Sequence, residues 1–218
     1  MTKLLICGAT GVVGSRVLAI ALSDPRVARV VAPTRLPVAA HVKLENPPFD
    51  RWIVQPQESR WQAESAVCAL GTTRVRAGSP AAFRAVDFDL VLTVAQDARR
   101  SGVERFVLVS SVGADPRSYF LYTRTKGEVE AAVKQLAFPS LTIVRPGFLD
   151  QERVESRPFE DLVRLMLRIA EPVLPMSARA SSVDRVSRLL IEAAVSAERG
   201  THVIGPESLG REMHRLDK

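Results

Sequence analysis

The chain has 218 residues, of which 46% are hydrophobic and 25% are charged, and this balance excludes disordered, collagen-like and coiled-coil proteins. Its net charge of +6 comes from basic residues spread along the chain, and only 6% of residues are aromatic, so a nucleic-acid partner is not expected. No apolar run reaches the roughly 20 residues that a bilayer requires. We therefore expect a single domain, residues 1–218, that is soluble and cytoplasmic and has no membrane partner.

Short apolar runs of strand length alternate with segments of helical periodicity along the chain, which is typical of βαβ units around a parallel sheet. The predicted strands are 4–7, 27–32, 66–70, 106–109, 141–144 and 201–204, with a short strand near 42–44. The predicted helices are a first one that runs up to Pro25, then 81–100, 122–136, 159–170 and 183–197. The pattern predicts an α/β fold, a doubly wound parallel sheet in three α/β/α layers. Residues 148–218 are expected to be a small C-terminal helical region on the substrate side, not a separate domain.

The sequence GATGVVG at 8–14 lies between the first predicted strand and the first helix. Glycines at these offsets permit a tight turn, a close approach of the backbone to a diphosphate, and close packing of the helix on the sheet. Unpaired amides at the start of the helix favour a bound phosphate. The residues expected to contact the cofactor here are Gly8, Thr10, Gly11, Val13 and Gly14. The alternative is a glycine-rich turn without a ligand.

The second predicted strand is followed by Pro33, Thr34 and Arg35, with no acidic residue. NAD-binding proteins usually carry an acid here for the ribose 2′-hydroxyl, whereas an arginine suits a 2′-phosphate. Thr34 and Arg35 therefore predict NADP (NADPH) as the cofactor. The alternative for Arg35 is a simple surface charge.

Tyr122 and Lys126 are four residues apart on a predicted helix and so share one face. A phenol is a poor proton donor near neutral pH, and a neighbouring ammonium group stabilises its phenolate. A hydroxyl from Ser110 or Ser111, after the preceding strand, is placed to orient a carbonyl and stabilise developing negative charge. This pattern predicts a catalytic Tyr122, Lys126 and serine, with Ser111 preferred. A half-buried aromatic ring and a solvated lysine are the alternative.

The cysteines and histidines show no pattern typical of a metal site. Cys7 and Cys68 each lie in a short apolar run and are expected to be buried, reduced thiols. His41, His202 and His214 have no companions at ligand spacing. We therefore predict no metal.

Several segments resemble the atypical, NADP-binding branch of the short-chain dehydrogenase/reductase superfamily. They are similar to the Tat-interactive-protein oxidoreductase group and its bacterial relatives. The similar segments are GATGVVG at 8–14, CALGTT at 68–73, VLVSSVGAD at 107–115, residues 122–130, RPG at 145–147 and ESRP at 155–158.

The resemblance implies a Rossmann fold, NADPH bound at the glycine loop and Arg35, and Tyr122 with Lys126 as the catalytic pair. It also implies cofactor contacts after the later strands, from Leu70, Gly71 and Thr72 on the adenosine and ribose side and from Pro146 and Gly147 beside the nicotinamide. Many relatives carry an asparagine in the proton relay where this chain has Asp87. Asp87 either joins that relay or is a surface residue.

The expected function is an NADP-dependent oxidoreductase that transfers hydride between nicotinamide and a carbonyl or alcohol, with Tyr122 as general acid in reduction. The segment after Arg145 is short, which favours a small-molecule substrate. The rival hypothesis is an NADPH-binding redox sensor or regulatory scaffold without turnover. A monomer and a homodimer both remain open.

Overall fold

The computed structural model describes residues 1–49, 62–147, 149–150, 181–196 and 198–208. Its strands are β1 (Thr2–Cys7), β2 (Val27–Val31), β3 (Leu44–Glu45), β4 (Ser65–Cys68), β5 (Arg105–Val109), β6 (Ser140–Val144), β7 (Leu149–Asp150), β8 (Ser181–Ser182) and β9 (Gly200–Ile204). Its helices are α1 (Val12–Ser23), α2 (Arg74–Ala77), α3 (Pro80–Arg84), a π-helical segment (Ala85–Leu90), α4 (Val91–Arg100), α5 (Leu121–Lys134) and α6 (Val183–Ser196).

The described strands form a parallel sheet in the order β3-β2-β1-β4-β5-β6-β9, and β7 pairs with β8 separately. The chain reverses its direction of winding between β1 and β4, where open sheets of this kind bind ligands at their carboxyl edge. Cys7 and Cys68 are register partners at that point, so the loops that follow them lie side by side. This order confirms the predicted doubly wound α/β fold.

Helices cover both faces of the sheet because alternate strand residues point to opposite sides. Leu4 and Ile6 of β1 join the apolar cluster under α1 and α6. Leu5 and Cys7 join the cluster under α4 and α5 on the other face. The packing of these two layers holds the strands in place, and with them the carboxyl edge of the sheet, where the site lies.

The described part of region 148–218 belongs largely to this sandwich. Helix α6 buries Val186, Leu190 and Ile191 against the sheet, and β9 pairs with β6. Both elements therefore complete the main core of the sheet. The predicted helix 159–170 lies outside the described residues.

The predicted helix 81–100 is present but not uniformly α-helical. Ser79 caps its start by accepting the Ala82 amide at 3.1 Å, and Pro80 occupies the first turn. The π-helical segment Ala85–Leu90 then joins α3 to α4. Among the described helices we find none that is both long enough and apolar enough to cross a membrane.

Candidate functional site

Two glycines where β1 gives way to α1, Gly8 in the loop and Gly14 in the first turns of the helix, have no room for a side chain. Gly8 has φ +90°, and a Cβ there would lie 2.6 Å from the carbonyl oxygen of Ala69. A Cβ on Gly14 would overlap the carbonyl group of Gly8. Glycine is thus required both where the loop meets the β4 loop and where α1 packs on the loop.

The start of α1 presents backbone amides at the carboxyl edge of the sheet. Gly11 is the N-cap residue and has no side chain to cap those amides, while its own amide donates to the Gly8 carbonyl at 3.0 Å. The first turn carries no acidic residue. Thr10 is exposed and Val13 is buried in the core, so Val13 offers a ligand only its backbone. This end of the helix suits an anionic group.

The two residues predicted to bind a 2′-phosphate differ in their surroundings. The Thr34 hydroxyl is buried, donates to the Leu36 carbonyl at 2.6 Å and accepts from Asn46 Nδ2 at 2.7 Å. The same Asn46 nitrogen donates to the Ala32 carbonyl at 2.6 Å, so it braces the loop after β2. Thr34 therefore acts within the loop, and Arg35 alone of the two is exposed. No pattern in the proline-rich sequence predicted the part played by Asn46.

The loop after β4 is bound to the π-helical segment. The Thr72 amide donates to Asp87 Oδ2 at 2.8 Å. A Cβ on Gly71 would lie 3.3 Å from Asp87 Oδ1 and 3.5 Å from Lys126 Nζ, so the bare backbone of Gly71 covers both groups. Leu70 is partly buried against the core.

Lys126 and Asp87 form a buried ion pair. Lys126 Nζ lies 2.7 Å from Asp87 Oδ1, and the exposed fractions of the two side chains are 6% and 0%. Both surface interpretations, the solvated lysine and the surface aspartate, are therefore wrong. Tyr122 lies one helical turn before Lys126, is 37% exposed, and packs its ring against Phe83 with centroids 5.9 Å apart.

The two serines after β5 have different partners. Ser110 Oγ donates to the buried carboxylate of Glu130 at 2.5 Å, and the same carboxylate accepts from Arg145 Nε at 2.9 Å and Nη2 at 2.5 Å. These hydrogen bonds raise the pKa of the Arg145 guanidinium. Among the residues that the structure describes, the hydrogen bond of the Ser111 hydroxyl is a 3.3 Å contact with the neighbouring Val112 carbonyl. The Ser111 hydroxyl is therefore the more available of the two.

The residues after β6 border the same edge. Pro146 is buried and its carbonyl accepts the Val112 amide at 2.9 Å, which joins the loops after β5 and β6. The loops after β1, β4, β5 and β6 therefore meet at one edge, together with the start of α5.

Comparisons with known proteins agree with this architecture. A family described as NAD(P)H-binding matches residues 8–161. "Protein fmp52, mitochondrial" from Emericella nidulans is 34% identical over 96% of this chain and 94% of its own length. The structure of MoeE5 in complex with UDP-glucose and NAD has a TM-score of 0.71 at 18% identity, over 98% of this chain and 81% of that chain. The PhqB reductase domain from Penicillium fellutanum has a TM-score of 0.66 at 20% identity, over 93% of this chain and 66% of that chain.

The names of the relatives correct one expectation. Fungal relatives that match most or all of this chain are named mitochondrial proteins. The prediction of a cytoplasmic protein is therefore wrong. It rested on composition and on the lack of a long apolar run, and neither determines cellular location.

The residues present fit a dinucleotide cofactor. Gly8 and Gly14 pack so closely against neighbouring backbone that neither has room for a Cβ, and the start of α1 beside them has neither a side-chain cap nor an acidic residue in its first turn, which suits a diphosphate. An NAD(P)-binding, oxidoreductase-type fold thus follows from the family match as well as from the geometry. The chain belongs to the NAD(P)H-binding family, which agrees with the resemblance to the atypical short-chain dehydrogenases/reductases.

Proposed function

We propose that the protein is an NADP-dependent oxidoreductase that interconverts a small carbonyl compound and the corresponding alcohol. The observation that carries the proposal is the buried Lys126 ammonium, one helical turn from a partly exposed Tyr122 at the carboxyl edge of the sheet. When bound, the nicotinamide supplies or accepts the hydride. The side chains of this chain are left to bind the carbonyl oxygen and to move its proton.

Tyr122 is the proposed general acid in the direction of reduction. Its phenol donates a proton to the carbonyl oxygen as negative charge develops there, and Lys126 stabilises the resulting phenolate. Ser111 donates a hydrogen bond to the same oxygen and holds it in place. We prefer Ser111 because Ser110 is already committed to Glu130.

The preference for NADP over NAD rests on the end of β2. Among the described residues, the acidic group near this point is Glu45, which is paired with Arg29. Arg35 is exposed and follows β2, the strand next to β1 and its glycine loop. Its guanidinium can bind a phosphate through two hydrogen bonds. These features favour a 2′-phosphate over a free 2′-hydroxyl.

A second candidate is an NADPH-binding sensor without turnover. One observation favours it: Lys126 is already paired with the buried Asp87 carboxylate, so its charge is balanced inside the protein before any ligand binds. Such a protein would bind the cofactor and leave the carbonyl substrates unchanged.

The test combines calorimetric binding of NADPH and NADH with a screen of aldehydes, ketones and quinones for NADPH oxidation. Tyr122→Phe removes the proton donor and is expected to lower kcat about 100-fold or more. Tyr119→Phe is the matched control, because this other tyrosine is 97% exposed. NADPH binding without turnover by the wild type would favour the sensor, and full activity of Tyr122→Phe would refute the catalytic role.

A further inference from the structure

We propose that Phe120 is a specificity-determining residue, whose exposed ring binds the apolar part of the carbonyl substrate beside Tyr122. The substrate class that follows is an aldehyde or ketone whose remainder is apolar and larger than a methyl or ethyl group. This inference rests on the proposed function, because it names the substrate class of the same site.

Much of the exposed apolar surface lies at the carboxyl edge of the sheet. Large exposed hydrophobic residues occur in the connections that leave β1, β2, β4 and β5, or in the first turn of the helix that follows, namely Val12, Leu36, Val75, Tyr119, Phe120 and Tyr122. Apolar side chains gathered at a ligand-binding edge indicate a ligand with an apolar part, because binding removes both surfaces from water. Of the three aromatic rings in this set, Phe120 is the one without a hydroxyl that water can solvate.

Phe120 occupies a position where a helix favours a polar side chain. It is the N-cap residue of α5, and its side chain makes no capping hydrogen bond. Serine, threonine, asparagine and aspartate are preferred at an N-cap because their oxygen accepts an amide of the first turn. The ring is 78% exposed and belongs to neither of the two buried clusters of the described residues. Neither the start of the helix nor the core therefore accounts for a phenylalanine here.

Polar contacts hold the backbone on both sides of the Phe120 ring. Arg124 Nη1 donates to the carbonyls of Ser118 and Tyr119 at 3.1 and 3.3 Å. The Phe120 amide donates to Ser118 Oγ at 3.2 Å, and the Phe120 carbonyl accepts the Arg124 amide at 2.9 Å. A ring that an ordered turn presents loses little conformational freedom when an apolar group binds to it.

The turn presents Phe120 next to the proposed proton donor. Phe120 directly precedes the first residue of α5, and Tyr122 is the second residue of that helix. Both side chains therefore leave the chain at the same end of α5. Tyr122 is 37% exposed, and its ring packs on the buried Phe83. A carbonyl group held by Tyr122 has its apolar remainder within reach of the Phe120 ring.

The test measures kcat/KM with NADPH for straight-chain aldehydes from propanal to octanal. Each methylene group that leaves water raises kcat/KM by up to about fourfold, so the wild type is expected to prefer octanal by at least about 30-fold. Phe120→Ser is expected to lower kcat/KM for octanal about tenfold and to change that for propanal less than about twofold, because only the longer chain reaches the ring. Serine is a preferred N-cap residue, so thermal unfolding is expected to show an unchanged or raised Tm.

Two further variants serve as controls. Phe120→Leu keeps an apolar side chain and is expected to keep most of the preference for octanal. Val42→Ser removes an apolar side chain that is 96% exposed before β3, at the opposite edge of the sheet, and is expected to change no rate. Equal kcat/KM for all aldehydes in the wild type would overturn the substrate class. An unaltered preference in Phe120→Ser, or an equal loss for propanal and octanal, would overturn the role of Phe120.

A second measurement separates this inference from the proposed function. A wild type without turnover refutes the proposed function, and the inference is then judged on the Kd values of octan-1-ol and propan-1-ol, measured by NMR titration of protein saturated with NADPH. Tighter binding of octan-1-ol that Phe120→Ser weakens supports the inference, and equal Kd values overturn it. Sedimentation with phosphatidylcholine vesicles that Phe120→Ser abolishes, at an unchanged aldehyde preference, would assign the ring to a lipid surface and overturn the inference.

Discussion

Ser110, just after β5, donates its hydroxyl hydrogen at 2.5 Å to Oε1 of Glu130, which lies twenty residues further on, in α5. Arg145, at the end of β6, completes the arrangement through both oxygens of the same carboxylate. The carboxylate is 2% exposed, so three successive elements are held together by one buried acid. This network explains why the adjacent Ser110 and Ser111 have different partners.

Replacing each serine with alanine separates stability from catalysis. Ser110→Ala leaves a lone pair of Glu130 unsatisfied and is expected to lower the free energy of unfolding by about 1–3 kcal/mol. Ser111→Ala is expected to preserve stability and to lower kcat by about 100-fold. Urea unfolding and initial rates measure the two effects. The opposite assignment would follow if Ser110→Ala alone lost activity at unchanged stability.

Gly14→Ala should damage the cofactor cradle. The added Cβ overlaps the Gly8 carbonyl, so α1 must move away from the loop and its amides lose their alignment. We expect the Kd for NADPH to rise at least about tenfold, equivalent to roughly 1.4 kcal/mol. Gly205→Ala is the control, since its Cβ would meet nothing within 4 Å. Calorimetry that finds equal affinity in both variants would contradict a cradle at this loop.

Arg35→Ala should reduce affinity for NADPH and leave affinity for NADH nearly unchanged. Loss of a charged hydrogen-bond donor to phosphate costs about 1.5–3 kcal/mol, or roughly 10- to 100-fold in Kd. Arg199→Ala provides the control, because Arg199 is exposed and precedes β9 at the other edge of the sheet. Parallel losses for both cofactors would show that Arg35 does not read the 2′-position.

The two cysteines should be unreactive in the folded protein. Both are free and buried, and burial raises the pKa of Cys7 and raises that of Cys68 to about 11. We expect a thiol reagent at pH 8 to modify them only as fast as the chain unfolds, whereas denatured protein reacts at once. Rapid modification of native protein would contradict this.

The same burial predicts a loss of stability in alkali. A thiol whose folded pKa is raised stabilises the fold fully below its unfolded value, here near 9.0, and this contribution decreases as the pH rises toward 11. Unfolding curves between pH 7 and pH 11 measure the effect. Cys68→Ala should show a smaller decrease than the wild type, and identical slopes would refute the assignment.

The strands and the glycine loop were predictable because their signals are local. A buried parallel strand appears as a short apolar run. The spacing of Gly8, Gly11 and Gly14 predicts the tight turn and the close backbone packing at the start of α1. The boundary errors are small and have local causes, such as β4 ending at Cys68 where the loop turns to meet Gly8. The role of region 148–218 was harder, since periodicity predicts the helix α6 but not the surface on which it packs.

Partners of side chains across the fold could not be predicted. Nothing near Asp87 in the sequence indicates that Lys126, on another helix, neutralises it, and nothing near Ser110 indicates Glu130. Thr34 looked like a phosphate ligand because its hydroxyl is adjacent to Arg35, yet Asn46 engages that hydroxyl from a distant loop. These contacts depend on the tertiary arrangement, which the spacing of residues along the chain does not indicate.

The π-helical segment Ala85–Leu90 gives its helix a change of phase. A π turn accommodates one residue more than an α-helical turn, so the residues before and after it are rotated relative to an unbroken helix. Phe83 and Asp87 can thus face the loop and α5 while Val91 and Val94 face the sheet. Deletion of one residue from this segment would rotate the two parts of the helix relative to each other. Either Val91 and Val94 would turn away from the sheet, or the Asp87 carboxylate would turn away from Lys126.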